Sequence, residues 1–146
     1  VRSFFDGTII LSGAISTGQD VAAALMLGAD FAYMGTRFIN TIEAMAVPAY
    51  KQMIMDSGAT DIVHTPAVSG IPANFMSKSL IDNGIDPKHL PDHKLDMGDE
   101  AKAWKTVWSA GQGAGAIHDV LPTAELVRRL SDEFSAACKD FDRKRP

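Results

Sequence analysis

Two short glycine-bearing turns carry the clearest chemistry in this sequence: Ser12-Gly13-Ala14 and, one strand–helix–strand step later, Gly35-Thr36. Each follows a short apolar run, Gly7 to Ser12 in the first case and Phe31 to Met34 in the second. A phosphate group needs several N–H donors converging on its oxygens, and small residues let the backbone approach closely enough to supply them. The Thr36 hydroxyl adds one more donor. Glycine after a strand also serves plain turn chemistry, and spacing alone leaves both readings open. A third small-residue segment, Gly111-Gln112-Gly113-Ala114-Gly115, lacks the six-residue dinucleotide fingerprint, and no clear strand precedes it. It reads as a connection that approaches a ligand, or equally as a hinge.

The other reactive side chains have blander readings. His89 and His93 have the i, i+4 spacing of a zinc pair, but Pro91 between them removes the helix that the geometry requires. His64, among apolar neighbours, reads as a hydrogen-bonded, half-buried histidine rather than a catalytic one. Arg37 can pair with a phosphate or form an ion pair beneath the turn, and the ion pair is preferred. Met53 is core material first and a substrate lining second. Trp104 and Trp108 fall on one helix face, which suits packing or an oligomer seam. No catalytic residue and no metal site is assigned.

The elements that position the two turns follow from periodicity. Gly7 to Ser12 reads as a fully buried strand. Thr17 and Asp20 begin a helix with a capping box, Val21, Ala22, Ala24 and Leu25 line its inner face, and Gly28 ends it. Phe31 to Met34 is the second strand, and such short connections favour a parallel βαβ unit. Ala46 to Met55 is helical with Pro48 in its first turn. Ile62 to Thr65 is extended, Phe75 to Asp82 helical and ended near Gly84, Lys88 to Gly98 a surface loop, and Glu100 to Trp108 helical. The last helix begins near Pro122. Leu126, Val127, Leu130, Phe134, Ala137 and Phe141 form its apolar stripe, and Lys139, Arg143, Lys144 and Arg145 gather where cations suit the dipole.

Composition bounds the setting of these elements. The 146 residues are 46% hydrophobic and 22% charged, which is the balance of a globular protein. A net charge of −4 gives no steering toward nucleic acid or an anionic membrane. The one cysteine, Cys138, has no internal disulfide partner and suits the apolar face of the last helix, and a cytoplasmic setting is expected. The length falls short of the roughly 250 residues of a complete (β/α)8 barrel, and the sequence opens on Val1, so a piece of a longer protein is expected.

Three blocks carry a resemblance: Ile10-Leu11-Ser12-Gly13-Ala14-Ile15-Ser16-Thr17-Gly18, Ala22 through Asp30, and Tyr33-Met34-Gly35-Thr36-Arg37-Phe38. It continues through Thr65-Pro66-Ala67-Val68-Ser69-Gly70-Ile71-Pro72-Ala73-Asn74 and Gly84-Ile85-Asp86-Pro87. It ends with Trp108 through Gly115 and with Asp119-Val120-Leu121-Pro122. In this order the chain resembles the nitronate monooxygenase, or 2-nitropropane dioxygenase-like, family. Other FMN barrels, enoyl reductases and nucleotide dehydrogenases among them, share the first block in looser form.

The resemblance implies an α/β fold: the last two βα units of a TIM (β/α)8 barrel, followed by a helical insertion and C-terminal helices. On that reading residues 1–42 hold the barrel units and phosphate turns. Residues 43–108 are a mostly helical insertion, and 109–146 are the Gly-rich loop and closing helix, all within one incomplete domain. The resemblance implies bound FMN, with its phosphate at Gly13 and Ala14, where Ala14 replaces the family's second Gly. Tyr33, Met34, Gly35 and Thr36 match its second flavin-binding stretch, Tyr33 standing where Gln is common. Gln112 is expected to reach the flavin or substrate pocket. The catalytic His of the family lies on a more amino-terminal strand, and none of His64, His89, His93 or His118 matches it. The implied reaction oxidises a nitronate with O2. An NAD(P)H-dependent quinone or enoyl reductase, and a non-catalytic flavin- or phosphate-binding fragment, remain alternatives, with NAD(P)H and a homodimer as further partners to consider.

Overall fold

The computed structural model describes residues 1–90 and 106–145. They gather into two compact units, one of Val1–Ala46 with Asp119–Pro146 and one of Val47–His118.

The first unit contains the expected βαβ step. Strand β1 (Ile10–Ser12) leads through helix α1 (Gly18–Met26) to strand β2 (Phe31–Tyr33), and the strands are parallel, with Ile10 opposite Phe31 and Ser12 opposite Tyr33. Local chemistry sets the limits of α1. Thr17 is extended and its hydroxyl accepts the Asp20 N–H at 3.2 Å, while the Asp20 carboxylate accepts the Thr17 N–H at 2.9 Å. Such a reciprocal cap contributes about 1 kcal/mol. The helix ends at Gly28, whose φ of 93° is open to glycine without steric cost.

Two burial expectations fail here. The Gly7 to Ser12 strand expected to be fully buried is exposed, with Ile10 60% accessible, and Phe31 on the neighbouring strand is 60% accessible too. A sheet of two strands with one crossover helix leaves uncovered apolar surface that a larger barrel would enclose. Within α1, Ala22 and Ala24 are buried as expected, but Leu25 is not.

A single-turn helix, α2 (Thr36–Ile39), follows β2, and Thr41 then makes a parallel bridge with Leu121. The last helix of the unit, which we number α5, runs from Thr123 to Arg143. Its first turn has no side-chain cap of its own. The carboxylate of Glu43 takes that place, accepting the Thr123 N–H at 2.9 Å and the hydroxyl at 2.8 Å. Helix α5 packs on α1 at close range. Glu133 accepts the Gly18 N–H at 2.7 Å, and a Cβ at Gly18 would lie 2.2 Å from the Leu130 carbonyl oxygen. Of the expected apolar stripe, Leu126 is fully buried and Leu130, Phe134 and Ala137 are half-buried, while Val127 and Phe141 are exposed. Cys138 is a half-buried free thiol.

The second unit departs from the mostly helical segment expected over 43–108. Helix α3 (Pro48–Met55) starts with proline in its first turn, as predicted, and buries Met53. A 3-10 turn (Ala59–Asp61) then leads into strand β3 (Ile62–Thr65), which pairs antiparallel with β4 (Ala73–Met76). Phe75 and Met76, expected to open a helix, are strand residues, and helix α4 (Ser77–Asp82) begins only after them. Tertiary pairing overrides the local pattern: Met76 N–H donates to the Trp108 carbonyl at 3.1 Å, and Phe75 is 1% exposed in a core with Val68, Leu80 and Val107. Burying a phenylalanine so fully stabilises by about 2–3 kcal/mol, enough to outweigh a helix propensity of a few tenths per residue. Gly84, with φ of 77°, closes α4 as expected. Trp108 is not helical; it stacks on Tyr50 with ring centroids 5.1 Å apart. Trp104, His93 and most of the expected 88–98 loop and 100–108 helix lie outside the described residues.

Candidate functional site

The two turns singled out in the sequence leave the same end of neighbouring strands. Ser12 is opposite Tyr33 in a parallel pair, so Gly13-Ala14 and Met34-Gly35 follow side by side, and the Ser12 hydroxyl lies 3.5 Å from the Tyr33 carbonyl. Gly13 (φ 103°) and Ala14 (φ 54°) are both left-handed, and Ala14 is the one non-glycine with positive φ among the described residues. For alanine that conformation costs about 1 kcal/mol. Alanine at the position where the resemblance implies a glycine therefore stands in a strained conformation.

Space and donors at the turns suit an anion. A Cβ built at Gly13 or at Gly35 meets nothing within 4 Å. The Gly13 N–H is directed at the Tyr33 carbonyl by the parallel ladder, while the amides of Ala14 and Gly35 make no backbone hydrogen bond in turns or caps among the described residues. Gly13, Ala14, Tyr33 and Gly35 are exposed, and Met34 and Thr36 are half-buried. Open N–H groups at adjacent strand ends, with glycine allowing close approach, meet the needs of a phosphate. The residues present fit such a group.

Arg37 does not join them as a phosphate ligand; it makes the preferred ion pair. The side chain is 4% exposed, its Nη2 donates to Asp119 Oδ1 at 2.6 Å, and its Nη1 donates to the Asp119 carbonyl at 3.3 Å. The other Asp119 oxygen accepts from Arg129 on α5 at 2.6 Å. Partial burial pushes the Asp119 carboxyl up, but the hydrogen bond from Arg129 and the charges of Arg37 and Arg129 outweigh it, holding the carboxyl below its ordinary range. Sequence reasoning did not find this triad. Asp119 is 82 positions from Arg37, and no periodicity links such distant residues.

Gln112 stands in the second unit, at the exposed start of a 3-10 turn (Gln112–Ala116). Gly113 and Ala114 are buried in that turn, and Gly115 faces the backbone of Gly58 and Ala59, so the glycines also serve close packing. His64 was expected half-buried; it is exposed, its Nδ1 2.9 Å from Asn74 Oδ1 across the β3–β4 pair. His89 is exposed beside Asp86 at 2.7 Å. Among the described residues no cluster of three His, Cys, Asp or Glu side chains is arranged to hold a metal. None of the described helices is long and apolar enough to cross a membrane. A groove of about 500 Å³ between α1 and α5, lined by Gln19, Ala22, Met26, Ala137 and Phe141, shares no residue with the turns.

A parallel βαβ step with open turns at the carboxyl ends of its strands is the repeat of a (β/α)8 barrel. The chain is α/β and covers part of such a barrel, in agreement with its solved neighbours. Residues 2–133 match the nitronate monooxygenase family, and the chain belongs to that family. It is 33% identical over 146 residues to a nitronate monooxygenase of Paraburkholderia phytofirmans, covering 91% of this chain and 39% of that protein. A nitronate monooxygenase of Pseudomonas aeruginosa is 32% identical over 140 residues, covering 86% of this chain and 39% of its own length. Among solved structures, nitroalkane oxidase from Streptomyces ansochromogenes superposes with a TM-score of 0.77 at 26% identity, covering 97% of this chain and 43% of that one. FabK from Thermotoga maritima gives 0.71 at 24% identity over 97% of this chain and 48% of its own, a likeness of fold. The chain thus spans 39% of the two nitronate monooxygenases and less than half of each solved neighbour.

Proposed function

We propose that this chain is the phosphate-holding part of an FMN-dependent oxidoreductase that oxidises alkyl nitronates with O2. The reading is carried by the side-by-side placement of the Gly13-Ala14 and Gly35-Thr36 turns, with open amides, in a chain of the nitronate monooxygenase family. FMN, when bound, supplies the redox chemistry. The protein's share is recognition. Backbone N–H groups of Ala14 and Gly35 and the Thr36 hydroxyl donate to the phosphate, which Gly13 lets approach closely; Tyr33 and Met34 carry the second turn, Tyr33 meeting the cofactor through its backbone. Gln112 is assigned to the flavin or substrate pocket. No residue of this chain is given the role of proton-abstracting base. A cytoplasmic setting, with a single cysteine and no need for a disulfide, accompanies the reading.

The test has two arms. Titrating the chain with FMN should quench flavin fluorescence, and riboflavin, which lacks the phosphate, should bind more weakly. The protein that contains this chain should consume propionate 3-nitronate and O2 in air. Turnover of NADH with a quinone under anaerobic conditions, with no nitronate consumed, would overturn the nitronate assignment in favour of the reductase. FMN binding without either activity would leave a flavin-binding module.

A further inference from the structure

We infer that Arg37 is a positioning residue: through its bond to Asp119 it holds the Gly35-Thr36 turn so that its donors face the anion bound by Gly13-Ala14. The inference rests on the phosphate reading of the two turns given above. Helix α2 is a single turn of four residues, and Gly35 provides no side-chain cap. One turn of helix does not hold itself, because its nucleation cost exceeds what one or two hydrogen bonds return. Nothing within 4 Å of the Cβ position at Gly35 packs against the turn from above. Its direction is set by whatever α2 is tied to.

Arg37, immediately after Thr36, is the buried residue of α2. Two of its guanidinium nitrogens reach one partner residue, Nη2 to the Asp119 carboxylate and Nη1 to the Asp119 carbonyl. A planar fork engaged at two points fixes orientation as well as distance, which a lysine ammonium cannot do. Asp119 is held in turn by Arg129 on the 21-residue helix α5. The turn is thereby referenced to the longest helix of its unit. Thr41 adds to the tie, its hydroxyl donating to the Phe38 carbonyl at 2.9 Å while Ile42 N–H donates to Leu121 O at 2.9 Å. A part-buried ion pair contributes little net stability against an apolar substitute, so its value lies in specifying one geometry.

The experiment compares FMN with riboflavin on the 146-residue chain, using fluorescence titration of the parent, Arg37→Lys and Asp119→Asn, with far-UV circular dichroism as the control for folding. The two flavins differ by the phosphate, so the ratio of their dissociation constants isolates phosphate recognition from general packing. The parent should prefer FMN by about tenfold or more. Arg37→Lys should lower that preference by about fivefold, with riboflavin affinity and the dichroism spectrum unchanged. Retention of the full preference in a folded Arg37→Lys, or equal loss of both flavins, overturns the inference. A parent that does not distinguish the flavins overturns the phosphate reading itself, and the inference with it. If Arg37→Lys does not fold, Asp119→Asn is read in its place; if neither folds, the pair is a structural tie only and the inference fails.

Discussion

Alanine at position 14 occupies a backbone conformation that glycine enters freely. Replacing it has two opposing effects. Ala14→Gly removes about 1 kcal/mol of left-handed strain, and it adds a similar entropy loss because the unfolded chain gains freedom. The substitution should leave the urea midpoint within about 0.5 kcal/mol of the parent, whereas Ala23→Gly on the exposed face of α1 should lose about 1 kcal/mol. A loss at position 14 equal to that at 23 would show that the turn is relaxed. Ala14 standing where the family resemblance implies a glycine was legible beforehand; the positive φ that makes it costly was not. Nor was the partner of Arg37. Its preference for an ion pair could be argued from chemistry, but Asp119 is brought to it only by the chain's return after residue 118.

Elements in the first unit are joined by a few contacts that tolerate little change. Gly18→Ala would place a methyl group 2.2 Å from the Leu130 carbonyl and 2.4 Å from the Phe134 nitrogen, both backbone atoms that cannot swing aside. Separating α1 from α5 should cost about 3 kcal/mol or more, seen as a large fall in urea midpoint; a change below 1 kcal/mol would contradict the close packing. The Asp119 bridge between α2 and α5 makes a pH-dependent contribution. Its carboxyl is held below its ordinary value in the folded chain, so the stability it adds is fully present above about pH 4 and is lost as pH falls through the folded pKa. Asp119→Asn should therefore lower stability at pH 7 and flatten the acid limb of a stability–pH curve. Asp119→Ala, which strands the buried Arg37 charge, should cost about 3 kcal/mol at pH 7. Parallel midpoints for parent and Asp119→Asn from pH 7 to pH 3 would refute the linkage. Helix caps at Thr17 and Gly28 were readable because their signals are local. The β3–β4 pair was missed because Phe75 and Met76 gain their strand partners from Val63 and Ile62, twelve and fourteen positions away in the chain and in register only once folded.

At the scale of the whole chain, the apolar strand expected to be buried lies at the surface together with its neighbour β2. Ile10, Phe31 and Tyr33 on the two-stranded sheet are all at least 60% accessible, and Leu27, just past α1, and Phe141 on α5 add apolar area in the same unit. An open parallel pair presents unpaired backbone groups at its edges as well as uncovered side chains, and both favour association. The chain spans 39% of its nitronate monooxygenase relatives and covers only part of a barrel, so β1 and β2 lack the enclosure that a closed barrel gives its strands. The 146-residue chain by itself should therefore self-associate, giving a concentration-dependent mass of a dimer or larger by light scattering. Phe31→Glu, which places a charge on the exposed strand without touching a buried contact, should shift that distribution toward monomer. A monodisperse monomer at high protein concentration would show instead that this surface is tolerated in water. If added FMN also reduced association, the phosphate turns and the sticky sheet would be coupled through β1 and β2, the two strands that carry both.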